Sequence, residues 1–236
     1  MVKRRVVVFG NEELAMLDHA YLTHDSPYEV AAFAVDRSYV GNGTLLGLPV
    51  MAFEGVETEY PPEEYSFSLL AGFRDVNRFR SERYERVKDK GYELISYVSS
   101  SAIVSPLATI GEGCHIYEGA VIQPFAKLGK NVVVSPMAMI GHHTIIEDHC
   151  FISSRATILG LARVGSHSVI AASATILDSA DVASRCIIGA GVVLSKNTKD
   201  GEVYVGRPAD RWPRTSDQFA SMLTWTADVK RHTDER

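Results

Sequence analysis

The chain has no apolar run long enough to span a bilayer, which argues against a membrane helix. Its first residues, MVKRRVVVFG, begin basic but offer only about four apolar residues before Gly10, too few for a secretory signal. The expected compartment is therefore the cytoplasm. Positive charge is not in surplus: 24 basic residues against 29 acidic leave a net charge of −5. That balance disfavours a general nucleic-acid surface while allowing a few local cations to hold one phosphorylated ligand. Cysteine is scarce. Cys114, Cys150 and Cys186 are evenly spaced and read as core fillers rather than redox or metal groups. The dinucleotide-binding glycine fingerprint is missing too, because Gly10 is followed by Asn11, Glu12, Glu13 and Leu14, which argues against a nicotinamide dehydrogenase.

What the chain does have is a period of six. An aliphatic residue returns at every sixth position from Val104 through Ile110, Ile116 and Ile122 to Ile188 and Leu194. Four residues after each stands something small or β-branched, as at Ala108, Cys114, Ala120 and Thr144. This period fits neither a helix nor a meander of hairpins. It fits a coil of short parallel strands in which each six-residue unit forms one side, the aliphatic residue fills the interior and the small residue lets the chain turn. Three sides close a coil, so residues eighteen apart stack at about 4.8 Å, and neighbouring coils supply each other's backbone partners. The cysteines all occupy the small inward position.

Ahead of the coil, 236 residues at 46% hydrophobic leave room for a second modest domain. Strands are predicted at 4–9, Glu29–Asp36 and Ser66–Gly72, with helices at Glu12–Thr23 and Asp75–Lys90, the latter capped by Asp75 or Ser81. The alternation indicates a small, mostly parallel α/β unit. Residues 42–50 and Pro61–Glu64 read as turns and loop. Ligands in such units collect at the carboxyl ends of strands, so Gly10, Asp36 and Gly72 would line one crevice. Gly10 could let a phosphate or sugar approach the backbone or be a plain turn glycine, and Asp36 could accept bonds from a nucleotide or simply face solvent. After Leu194 the period stops. Phe219, Met222 and Leu223, with Thr226 and Val229 as a continuation, share a helical face capped by Ser216 or Asp217, suited to plugging the coil's open end or packing on another subunit.

On the coil, chemistry is sought where outward residues look wrong for plain solvation. His142, two positions after Ile140, is expected to project from a flat side, and Gly160 occupies the same column one coil later. An imidazole beside an unshielded backbone N–H can pair a general base with an oxyanion donor, though exposed histidines are often only exposed. His149 and His167 share another column. They read as a surface ladder in preference to a metal pair, and no metal is expected; His115 and His24 offer nothing distinctive.

The uninterrupted coil, the α/β unit before it and the exit Val205-Gly206-Arg207-Pro208-Ala209 together resemble one family over roughly residues 4–211. It is the sugar-nucleotide N-acetyltransferases of the bacillosamine and perosamine pathways, often grouped with sialic-acid O-acetyltransferases. Ile140–Gly165 aligns without gaps with that family's catalytic coil. The resemblance implies a Rossmann-like α/β domain over 1–97, a left-handed parallel β-helix over 98–208 and a tail with a short helix over 209–236. It implies a homotrimer that takes acetyl-CoA between two coils and a nucleotide-linked amino sugar mainly on the first domain. His142, with His143 beside it, would be catalytic. Gly160 would hold the thioester oxygen, with Phe151, Arg207 and Pro208 also at the cofactor and Gly10, Asn11, Asp36 and Gly72 at the substrate. This chain departs from the family in three places: His143 stands where an acidic residue is usual, Phe151 where a second histidine is usual, and Gly10-Asn11-Glu12-Glu13 where a glycine-rich loop is usual. O-acetylation by the same machinery, or a non-catalytic trimeric scaffold, remain the alternatives.

Overall fold

The computed structural model describes residues 4–207, 209–211, 213 and 215–220. The first part is a sheet ordered β3-β4-β2-β1-β5, comprising β1 (Arg4–Phe9), β2 (Tyr28–Val35), β3 (Thr44–Leu45), β4 (Leu48–Ala52) and β5 (Tyr65–Ser68). All neighbours are parallel except the β3–β4 hairpin. β1 is an unbroken aliphatic run because it is central and covered on both faces; Val6, Val7 and Val8 have no exposure. Residues 42–50 are more than turn: Val50 pairs with Phe33, so the run after Gly47 extends the sheet. The third strand is shorter than expected. β5 ends at Ser68, and Leu69–Ala71 stay buried without strand pairing.

From Tyr97 onward the chain winds as a left-handed β-helix with three parallel sheets. Registers run eighteen residues apart, as in Val121↔Met139, Met139↔Thr157 and Thr157↔Thr175. The inward aliphatic and small positions, with all three cysteines, form one continuous core. The cysteines do more than fill it, since each thiol donates to a corner carbonyl, Cys150 Sγ to Gly165 O at 3.2 Å for example. Thr144 and Ser168 make the same bond at other corners. From Ile110 to Ile188 the third residue after each aliphatic turns the corner in left-handed conformation, with φ of 65° at Phe125, 57° at His143 and 62° at Leu161. Each such residue costs about 1–2 kcal/mol. The regular bonds from these corners to the coil before offset that cost, as from the Leu161 amide to His142 O at 2.9 Å.

Helices α1 (Glu13–His24) and α2 (Arg78–Asp89) fasten the sheet to the coil. On α1, buried Asp18 lies 3.2 Å from His115 Nε2, which also meets Ser68 Oγ at 3.2 Å. The α2 N-cap position is Asn77 rather than Asp75 or Ser81. The Asn77 side chain makes no cap bond but donates to His167 O and Ser168 O on the coil. Fully buried Arg80 donates to His149 O at 2.8 Å and Cys150 O at 3.2 Å.

This docking overturns the surface ladder expected of His149 and His167. His115 is wholly buried, His149 is buried, and His167 is half-buried with its ring 4.8 Å from that of His149. The column is no solvated ladder, because α2 lies over it and Tyr84 packs on His149. Burial, followed by the positive neighbours His167 and Arg80, lowers the His149 pKa to about 4. Unfolded, this histidine takes up a proton near pH 6.5. Its contribution is therefore intact above pH 6.5 and is lost progressively down to about pH 4, by roughly 3 kcal/mol. His149→Asn keeps a residue suited to the left-handed corner. In denaturant melts between pH 6.5 and 4 it should flatten the dependence of stability on pH by close to one proton.

The chain breaks into two compact units between Gly206 and Arg207. The second contains a short helix, α3 (Ser216–Ala220). Thr215, not Ser216 or Asp217, caps it: its Oγ1 accepts from the Gln218 amide, and Gln218 Oε1 accepts from the Thr215 amide. The expected contacts of Met222, Leu223, Thr226 and Val229 lie outside the described residues.

Candidate active site

Two separate places gather the sequence candidates. The first is a corner of the coil. His142 projects from the turn between two sides and not from a flat side, because the strand pairs are only Met139–Ile140 and Ile145–Ile146. Both His142 and His143 are exposed. The imidazole lies directly over Gly160: a Cβ added there would stand 2.5 Å from His142 Nε2 and 2.6 Å from Cε1. Only glycine leaves room for the ring. Among the described residues the Gly160 amide has no hydrogen-bond partner, whereas the amides of Leu159 and Leu161 on either side are bonded. Gln123 Oε1 accepts from the His142 amide at 2.9 Å, and the two imidazoles meet Nδ1 to Nδ1 at 3.3 Å. Chemically, the corner holds an exposed nitrogen base lying over an unused N–H donor.

The second place is the crevice at the strand ends. Gly10, Asn11, Asp36 and Gly72 all line one cavity of about 370 Å³. Asp36 is not a solvent-facing acid, because Arg83 Nη2 binds one oxygen at 3.0 Å and Arg86 Nη1 the other at 2.6 Å. Asn11 donates to Tyr39 O at 2.7 Å. The sequence reading missed Arg74, Phe79 and Arg83 on the cavity wall, where the Arg83 guanidinium stands 3.7 Å above the Phe79 ring. Part of their signal was present, since Arg83 and Arg86 stand three apart and so share a face of the helix. Glu12 and Glu13 also border the cavity, and Arg74 and Arg83 are the cationic side chains on its wall.

Phe151 does not join His142 and Gly160. It packs on Phe73, with ring centroids 5.3 Å apart, and lines an apolar cavity of about 320 Å³ with Leu14, Tyr21 and Tyr117. The two cavities share Leu14, Leu70, Ala71 and Gly72. Arg207 is exposed at the start of the second unit, and Pro208 lies outside the described residues. Among the described residues no three His, Cys, Asp or Glu side chains gather as metal ligands, and no helix is long and apolar enough to cross a membrane.

The repeats match the family model described as bacterial transferase hexapeptide (six repeats) over residues 107–142 and 125–160. No curated protein matches the chain. Among solved structures, the acetyltransferase domain of PglB from Neisseria gonorrhoeae matches with a TM-score of 0.76 at 28% identity, over 89% of this chain and 100% of that one. That domain has also been solved with acetyl coenzyme A. PerB from Caulobacter crescentus, in complex with CoA and GDP-perosamine, matches at 0.75 and 23% identity, over 87% of this chain and 95% of that one. WeeI from Acinetobacter baumannii matches at 0.58 and 19% identity, over 87% and 98%. At those two identities the likeness speaks for the fold.

Proposed function

We propose that this chain, an acyl-CoA-dependent acetyltransferase of the hexapeptide-repeat sugar N-acetyltransferase family, moves the acetyl group of acetyl-CoA onto the amine of a nucleotide-linked amino sugar. The observation that carries the site assignment is the His142 ring lying over Gly160 with the glycine amide unused. In this reading the sugar nitrogen attacks the thioester carbonyl while His142 Nε2 takes its proton. The carbonyl oxygen gathers charge against the Gly160 N–H, and the tetrahedral adduct collapses to the amide as the proton held on His142 passes to the departing coenzyme A thiolate. Both groups act on the transition state, where such interactions raise turnover.

Labour divides along the chain. Residues 1–97 hold the nucleotide, whose phosphates suit Arg74 and Arg83 better than the acidic start of α1, and residues 98–208 carry the transfer. A homotrimer is supported by the corner column holding His143, which exposes Leu107, Phe125 and Leu161 by 56%, 48% and 58%. Apolar side chains of that size flanking a polar site suit burial by a second copy. The groove between two coils would take acetyl-CoA, as the family resemblance implies. Phe151 would lie toward the acceptor, since its cavity runs on from the nucleotide crevice.

A thiol-release assay with acetyl-CoA against UDP-, GDP- and dTDP-linked amino sugars tests this. At least one acceptor should release thiol and give a product stable to mild alkali. An alkali-labile product would identify the acceptor as a hydroxyl. No release with any acceptor, together with no acetyl-CoA binding by calorimetry, would reduce the molecule to a scaffold.

A further inference from the structure

The α2 helix is bound on one side to the coil and on the other to the crevice at the strand ends. Asn77, Arg80, Tyr84 and Lys88, spaced three, four and four apart, meet the coil. Phe79, Arg83 and Arg86, four and three apart, meet the crevice and Asp36. On the coil side, the carbonyls of the left-handed corner residues His149 and His167 receive no backbone hydrogen. Covered by the helix, they need donors. Arg80 Nη2 supplies one at 2.8 Å, and Asn77 Nδ2 supplies the other at 2.9 Å. The same Nη2 reaches Asn77 Oδ1 at 3.0 Å, so the two side chains form one tie. Arg80 has no exposure and, among the described residues, no ion pair. A buried charge is weak ground for stability, since apolar packing often holds as well. What a guanidinium adds is direction.

The tie holds a strained turn. Asp75, Val76 and Asn77 are left-handed in succession, with φ of 54°, 50° and 63°, and the Asn77 amide closes the turn on Phe73 O at 3.2 Å. L-residues rarely string this conformation together, and a β-branched valine adopts it least readily. Such segments persist where their surroundings fix them, commonly beside ligand sites. Here the turn carries Arg74 onto the crevice wall, its guanidinium 5.4 Å from the Phe79 ring centroid, and sets Phe73 on Phe151 of the coil. Resting on the reading of that crevice as the nucleotide site, we propose that Asn77 and Arg80 are positioning residues. By tying the turn and α2 to coil carbonyls, they set Arg74, Phe79 and Arg83 in the arrangement that receives a nucleoside diphosphate. Neither lines the cavity itself.

Calorimetry on the full-length protein tests this, with UDP, GDP and dTDP titrated in turn and acetyl-CoA as the second ligand. Asn77→Gly keeps a residue that adopts the left-handed conformation freely but removes the side-chain tie. The turn then samples other geometries, and a competent fraction of about one in ten raises the apparent Kd about tenfold. The expected result is a rise of that size or more in Kd for the diphosphate that binds the native protein best, with Kd for acetyl-CoA unchanged. Arg80→Met, without donors, should do the same, and where one variant fails to fold the other decides. Val76→Gly relaxes the turn but leaves the tie in place, so it should bind the diphosphate as the native protein does. Equal weakening by Val76→Gly and Asn77→Gly would overturn the proposal, because local stiffness and not the tie would then matter. So would equal loss of both ligands, or a lowered melting temperature with both affinities native, the signature of a purely structural bond. The crevice reading fails separately. A native protein that binds none of the three diphosphates removes it, and this proposal with it. Weakened binding in Arg83→Gln, beside native affinity in Asn77→Gly and Arg80→Met, removes only the proposal made here.

Discussion

His142→Ala should lower kcat by about 10²- to 10⁴-fold, the range that a positioned general base supplies. KM for acetyl-CoA should move little, because the ring acts on a proton that is transferred only in the transition state and removes no ground-state contact with the coenzyme. Some catalysis should survive through the Gly160 amide and the binding of both substrates, as happens when a triad base is removed elsewhere. The fold should be indifferent. The side chain is exposed, and the bonds of its backbone, the amide to Gln123 Oε1 and the carbonyl from the Leu161 amide, do not involve the ring. Thermal melts of the two proteins should therefore coincide, the ordinary outcome for an exposed substitution free of caps and core contacts. Steady-state kinetics beside those melts separate a lost base from a lost structure, and an alanine variant at full turnover would end the assignment.

That His142 and Gly160 share a column was readable before any coordinates, because a strict period of six leaves only one way to stack residues eighteen apart. The same rule placed the cysteines in the core, where the structure has them. A repeat separates inside from outside, however, and says nothing about what covers the outside. His115, His149 and His167 therefore read as unremarkable or solvated. In the structure they lie beneath α1 and α2, tied there by Asp18, Asn77 and Arg80. Arg80 shows the limit best. A helix of sequence RFRSERYERVKD reads as a solvated charged surface, yet this arginine has no exposure because coil carbonyls are available to take its hydrogens. Asp36 erred the other way. The strand end was located within a residue, but the two arginines that grip it lie roughly fifty positions later. Long-range pairing of that kind leaves no local pattern to read.

Gly160→Ala should abolish most activity while sparing the fold, and the reason lies in what a single methyl group would meet. The glycine does not have a positive φ, so the backbone accepts alanine without strain. The new Cβ, however, would fall 2.5 Å from His142 Nε2 and 2.6 Å from Cε1. Contacts that short cannot persist, and the exposed imidazole is the part free to move. Swinging it aside by about an ångström is enough to cost on the order of 10²-fold in rate, since a base works only within hydrogen-bond reach of its proton. The methyl group would also crowd the carbonyl oxygen that the amide is to receive. Gly141→Ala is the control, because its Cβ would strike the backbone of the next coil, 2.6 Å from both Gly160 N and Leu159 C. Nothing there can swing away, and the coils must separate. The first variant should melt close to the native temperature with kcat reduced about 10²-fold or more, and the second should melt lower whatever its activity. If Gly160→Ala instead turned over at the native rate, the imidazole over this glycine would be a resident of the corner and not its base.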